Sequence, residues 1–412
     1  YTARQERCPV VLGVPMDLQK APFPWGAEYS PSTELIPTPQ RPAPDPVLVD
    51  KLATMIQESK RPIILGGRGV LRSGAAEALE ALAERCGALL ATSLFAKGLF
   101  DHNRFGIGVA GAYASPLARE EFAACDLLIG VGAGLGHYTT EAGYLYPNAK
   151  TVQIDLNPRG LYQGLRIADM HIRADAKAAA EAVLAKLAER GHSSASARTP
   201  MLAKQIAAQA ARPDSKEFLV APGTVDPRPA ILELDAAIPK DWTVVSGGAH
   251  FAGIVATHFY GRRAEQMHVI NEFGAIGSAF PIAIGMAAAR GDGKLMLIEG
   301  DGSLMMHIQE LETIRRQGIR MLICTVNDGG YGAEVHKFRA QGYDPKESQH
   351  GRGDIAAIAR GFGLRGEKIT TLDRFKDLFA AHEKVGQTEL WDLHVDDAIP
   401  SAPYRRIHFG EV

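Results

Sequence analysis

Two glycine-flanked segments carry residues able to hold a divalent cation beside a phosphorylated ligand: Gly300-Asp301-Gly302-Ser303 and Asn327-Asp328-Gly329-Gly330. Asp301 offers a carboxylate oxygen, Asn327 an amide oxygen, and the turn after Asn327 a main-chain carbonyl. That donor set suits Mg²⁺, with phosphate oxygens and water completing an octahedron. The glycines let backbone N–H groups approach a phosphate without side-chain obstruction. On these residues alone the site is a Mg²⁺–diphosphate site whose organic part stays open.

The elements that must position these residues follow from the apolar pattern. Residues 295–298 read as a buried strand ending at the Gly300 turn, 307–317 as an amphipathic helix, and 321–326 as the next strand, ending at Asn327. Asp301 and Asn327 stand 26 residues apart, about one strand–helix–strand crossover. They therefore fall at adjacent strand carboxyl ends, where open α/β sheets place ligands.

Upstream the same alternation recurs, with helices expected at 47–59, 75–86, 116–125 and 176–190 and strands at 61–65, 89–92, 127–131 and 151–155. Branched apolar strands separated by helices imply parallel sheets covered on both faces. The expected fold is α/β, with two doubly wound parallel-sheet domains at 46–190 and 230–412. A Ser-, Gly- and Pro-bearing linker at 191–229 should join them. Within residues 1–45, residues 9–15 read as the last strand of a third domain, followed by a linker rich in proline from Pro22 and Pro24 to Pro44.

Composition narrows the function classes. Among 412 residues, 45 Lys+Arg against 47 Asp+Glu give a net charge of -2, so no global field draws the chain to nucleic acid or an anionic membrane. No apolar run reaches the ~18 residues of a membrane span, and no leader opens the chain, so a cytoplasmic location is expected. Cys8, Cys86, Cys125 and Cys324 form no CxxC pair and read as buried free thiols.

The GDG segment followed by Asn327 resembles the signature of thiamine diphosphate (ThDP) enzymes, with Asp328 departing from the usual second asparagine. The resemblance implies ThDP and Mg²⁺ as cofactors, with Asp301, Asn327 and the Gly329 carbonyl on the metal. Gly300, Gly302, Ser303, Gly330 and Tyr331 would line the cofactor. The turn through Ala249 and His250 would approach the distal phosphate, with His250 the candidate catalytic side chain. Gly274 would accept from the cofactor's 4′-amino group, and Ile276 would wedge between its two rings, holding that amino group at the reacting carbon.

The order of segments over nearly the whole chain is similar to the acetolactate synthase and benzoylformate decarboxylase group. That implies decarboxylation of a 2-oxo acid with carboligation, or else simple decarboxylation or aldehyde lysis, in a homodimer or homotetramer. The family carries its activating glutamate on the first domain of a neighbouring subunit, so this chain is expected to be incomplete for turnover alone.

Other segments carry weaker expectations. Residues 106–111 fit GxGxxG but follow no strand and read as a loop. Gly66, Gly67 and Gly69, and Gly130, Gly132 and Gly134, do follow strands and suit an ADP or FAD phosphate. Relatives keep such turns without a nucleotide, so FAD is the lesser expectation and a non-catalytic nucleotide-binding scaffold the rival function. His336, Lys337 and Arg339 either read an anionic substrate or form a solvated helix face, and Met305, Met306 and Met321 read as core.

Overall fold

The computed structural model describes residues 2, 9–22, 29–36, 40–157, 168–195, 197–211, 213–271 and 273–411. Two compact units divide the chain, Tyr1–Pro42 and Ala43–Val412. In the first unit the strand expected at 9–15 does not form: Val11 and Leu12 are 94% and 82% exposed. A strand needs a ladder partner for its N–H and C=O groups, and the described residues of this unit supply none. Its regular structure there is a 3₁₀ turn, Leu18–Lys20, and a one-turn helix, Ser32–Leu35. Pro24 and Cys8 lie outside the described residues.

The second unit holds two six-stranded parallel sheets. The first consists of β1 (Pro62–Gly66), β2 (Leu89–Thr92), β3 (Gly106–Val109), β4 (Leu127–Val131), β5 (Lys150–Ile154) and β6 (Met170–Ile172), in the order β3-β2-β1-β4-β5-β6. Every residue of β1, β2 and β4 is buried, because helices cover both faces. One face packs Ile64, Leu90 and Ile129 on Leu52, Leu82 and Val183; the other packs Ile63, Leu89 and Leu128 on Phe122. The Pro46–Glu58 helix starts where the sequence dictates: Asp45 accepts the Val47 N–H at 2.8 Å, and Pro46 occupies the first helical position.

Two expectations are corrected in this half. Residues 106–109 form an edge strand, not a loop, and Gly106 is needed there because a Cβ would lie 2.3 Å from the Phe100 carbonyl oxygen. Gly106 and Gly108 sit within the strand and Gly111 opens a 3₁₀ turn, so the glycines do not form the strand-to-α-helix turn of the dinucleotide fingerprint. The stretch expected as a linker contains the helix Pro200–Ala211, which buries Leu202 against the Phe122 face of the first sheet.

The second sheet consists of β7 (Thr243–Ser246), β8 (Met267–Val269), β9 (Leu295–Gly300), β10 (Leu322–Asn327), β11 (Arg365–Ile369) and β12 (Glu389–His394), in the order β11-β12-β10-β9-β7-β8. From β7 the chain steps out to β8, then returns to the other side of β7 to lay down β9. The carboxyl ends of β7 and β9 thus flank a topological switch point, the usual ligand crevice of such sheets.

Cys86, Cys125 and Cys324 are buried free thiols. Met321 is buried as expected, but Met305 and Met306 are 42% and 46% exposed. The helix Asp301–Met305 buries its first four residues, Asp301 to Leu304, and the chain turns out toward solvent from Met305. Among the described residues no helix is long and apolar enough to cross a membrane.

Candidate active site

Strands β9 and β10 deliver Asp301 and Asn327 to neighbouring places at the sheet edge, since Val326 lies opposite Gly300 in the ladder. Asp301 is buried, and its Oδ2 accepts the Gly329 N–H at 2.9 Å, tying the two glycine turns together. Gly329 has φ of 80°, a conformation in which a side chain is strained. Asn327 is fully buried, and its Nδ2 donates to the Arg352 carbonyl at 3.0 Å and to Asp392 Oδ1 at 2.8 Å. Its Oδ1 has no hydrogen-bond partner. A desolvated amide oxygen without a donor costs about 1–3 kcal/mol unless another group takes that place. Oxygen donors from Asp301 and Asn327 at one edge fit Mg²⁺.

The Gly329 carbonyl departs from expectation. It accepts from the His350 N–H at 3.0 Å and the Gly351 N–H at 2.8 Å, so both lone pairs are engaged rather than open to a metal. The cause is a loop that folds back over the turn and bridges Gly330 to Gln349. His350 Nε2 also comes within 3.9 Å of Asp301 Oδ2. The Tyr331 ring lies against Gly302, where a Cβ would be 2.8 Å from Tyr331 Cε1, and meets the His350 ring edge-on at 5.5 Å.

The segment 274–277 is brought to the same edge. Gly277, with φ of 87°, donates its N–H to Ser303 Oγ at 2.6 Å. Ile276 is half-buried beside it, and Gly274 is exposed with φ of 75°. The turn after β7 arrives from the other side: a Cβ on Gly247 would lie 2.0 Å from Glu299 Oε1. Ala249 there holds φ 85°, ψ -161°, a region proper to glycine.

His250 has other surroundings than those expected. Its Nε2 accepts the Ser401 N–H at 2.8 Å, and its ring packs on His336 and Tyr404, 4.3 Å and 4.9 Å between centroids. Burial, then the neighbouring His336, holds His250 well below the usual histidine range, so it is neutral and structurally engaged. None of its recorded contacts reaches Asp301 or Asn327, because the first turn of the His250–His258 helix aims it at the Ala402–Phe409 helix. Of the other basic candidates, His336 is buried in that cluster, Lys337 pairs with Glu334 at 3.0 Å, and Arg339 pairs with Asp397 at 2.7 Å.

Burial raises three acids at this edge. Asp301 is pushed up to about 6, against the pull of the Gly302 N–H and His350. Glu299 is pushed up to about 7, against the Ser303 hydroxyl and the Gly300 N–H. Asp328 is pushed up to about 8, by burial and then by Asp301. A bound cation reverses this balance, since its own charge favours the carboxylates. Glu299, Asp392, His350 and Arg352 carry this environment without having been singled out by motif. Only Glu299 gave a signal, a carboxylate ending an apolar strand.

Residues 49–183 match the family described as thiamine pyrophosphate enzyme, central domain, and residues 249–389 match the C-terminal TPP binding domain of the same enzymes. The chain belongs to the thiamine pyrophosphate enzymes. Asp301, Ser303 and Asn327 all fall inside the matched TPP binding domain. The probable acetolactate synthase large subunit of Methanocaldococcus jannaschii is 27% identical, over 94% of this chain and 66% of that protein. The acetolactate synthase large subunit of Parasynechococcus marenigrum is 28% identical, over 96% and 64%. The chain thus spans about two thirds of these relatives' length. Benzoylformate decarboxylase from Polynucleobacter necessarius has the same fold, with a TM-score of 0.71 at 20% identity over 90% of this chain and 68% of that one.

The matched central domain uses its glycine turns to pack on one another. Gly67 and Gly69 donate their N–H groups to the Val131 and Gly132 carbonyls, both at 2.9 Å, and Gly132 donates to the Ile154 carbonyl at 2.8 Å. A Cβ on Gly67 would stand 2.3 Å from the Gly132 oxygen. Close approach accounts for these glycines, and their N–H groups are not free to cradle a phosphate.

Proposed function

We propose that Asp301 and Asn327 hold Mg²⁺, and through it the diphosphate of ThDP, in an enzyme that decarboxylates a 2-oxo acid and joins the product to a second carbonyl compound. The observation that carries the metal reading is the buried, unpartnered Asn327 Oδ1 next to Asp301. Bound there, ThDP supplies the carbon nucleophile and the electron sink that decarboxylation requires. The protein's part is to position and desolvate. Asp301 and Asn327 fix the cation, Ser303 clamps the 274–277 segment to the diphosphate turn, and half-buried Ile276 stands ready to shape the cofactor.

Because His350 and Gly351 occupy the Gly329 carbonyl, water and diphosphate oxygens would complete the set around a bound ion unless that loop releases it. Carboligation is favoured by the names of the curated relatives, with simple decarboxylation or aldehyde lysis as the variant reading. A nucleotide-binding scaffold has less support, given the committed N–H groups of the central turns. A homodimer or homotetramer in the cytoplasm belongs to the same proposal, and light scattering of the purified chain tests the assembly. For the site itself, titration of Mg²⁺ with ThDP, followed by calorimetry, should show at least about tenfold weaker binding in Asp301→Ala. Equal binding by parent and variant would overturn the metal assignment.

A further inference from the structure

A carboxamide ligates a hard cation through its oxygen, and its nitrogen repels one. Asn327 is useful at the metal only if its side chain is held one way round. We propose that Asp392 is the positioning residue that fixes this orientation, and the inference rests on the metal reading above. Asp392 stands on β12, the strand flanking β10, opposite Thr325, and is fully buried. One of its oxygens, Oδ1, accepts from Asn327 Nδ2 at 2.8 Å. The other, Oδ2, accepts the Ile355 N–H at 3.0 Å and lies 3.2 Å from His394 Nε2.

The polarity follows from the partners. Both hydrogens of Asn327 Nδ2 are spent on acceptors, the Asp392 carboxylate and the Arg352 carbonyl. Turning the amide over would set its oxygen against a carboxylate and a carbonyl in a desolvated place, two acceptor–acceptor contacts with no donor. Oδ1 is therefore left pointing where no protein donor meets it. The carboxylate is anchored in turn, because the Ile355 N–H opens the helix Ile355–Gly361 and cannot rotate away. His394, in the tautomer protonated at Nε2, braces the same oxygen from β12 itself. The Asp392–Asn327 pair is thus an outer-shell hydrogen bond that orients a ligand.

An isosteric change tests this directly. In Asp392→Asn the retained oxygen stays with the Ile355 N–H and His394, so the new amide group faces Asn327 Nδ2, donor against donor. Asn327 relieves the clash by turning over, which swings its nitrogen toward the metal. Mg²⁺ affinity in the presence of ThDP, measured by calorimetry, should fall about tenfold to a hundredfold. Combining Asp392→Asn with Asn327→Asp restores an acceptor opposite the new amide and an oxygen toward the metal. The double variant should bind Mg²⁺ more tightly than Asp392→Asn alone, a recovery that loss of fold would not produce.

Asp392→Asn binding Mg²⁺ as the parent does, or a double variant no tighter than Asp392→Asn, would overturn the proposal. Asp301→Ala, run alongside, separates the two failures. If it weakens binding while Asp392→Asn does not, only the positioning role falls; if neither change has an effect, the metal site falls with it.

Discussion

Glu299 places a carboxyl group where the fold can least accommodate a charge. It is fully buried, its Oε2 has no partner, and the Gly247 turn passes so near that a Cβ there would lie 2.0 Å from Oε1. Burial raises it from 4.5 to about 7. In the unfolded chain the group ionises near 4.5, so stability is lost as pH rises from there to the folded value and stays lost above it. At ~1.36 kcal/mol per unit, the penalty is under ~1 kcal/mol at pH 5 and about 3 kcal/mol at pH 8. Glu299→Gln keeps the oxygen that accepts the Gly300 N–H at 3.1 Å and removes the ionisation. The variant should therefore be stabilised, without metal or cofactor, by about 3 kcal/mol at pH 8 and by much less at pH 5. Trp242 and Trp391 are buried in the core of this half, so their fluorescence during denaturant unfolding reports on it. A gain at pH 8 no larger than that at pH 5 would refute the reasoning.

Further outcomes follow from the same geometry. Ala249→Gly should raise stability by about 1 kcal/mol, by releasing a backbone that only glycine adopts freely; a lower urea midpoint would contradict this. Gly67→Ala forces a Cβ against the Gly132 oxygen and should destabilise the central domain by about 2 kcal/mol or more, measured by thermal unfolding. His258 is buried and lowered to about 4, so stability is full above 6.5 and falls as pH drops from 6.5 toward 4. An acid unfolding limb unchanged in His258→Gln would count against that. A Mg²⁺ ion held by Asp301, as proposed, must displace the proton of a group raised to about 6, so its affinity should climb between pH 5 and pH 7; calorimetry showing a flat profile would argue that Asp301 is no ligand.

The alternation of apolar strands and amphipathic helices made β1, β2, β4, β5, β9 and β10 legible, though not β11 or β12, and with them the placing of Asp301 and Asn327, because a strand's carboxyl end is a local property of the sequence. Short edge elements were harder. β6 and β8 have three residues each, too few for a period, and β3 is half glycine, which reads as a loop until β2 is there to pair with it. Residues 9–15 failed in the opposite direction: an apolar run signals a strand only if a neighbour exists to complete its ladder.

The same distinction divides the site. What comes from strand ends was visible in the motif, and what comes from chain folding back from far away was not. The loop carrying His350 and Arg352 closes on the Gly329 turn from about twenty residues downstream, and Asp392 reaches Asn327 from 65 residues away. These distant groups decide the chemistry of the motif residues. They take up the Gly329 carbonyl and leave the Asn327 oxygen without a donor, while His350 eases the ionisation of Asp301 that burial opposes. A GDG turn and an asparagine at the right separation say where a metal can sit; the loop and β12 say which atoms are free to hold it.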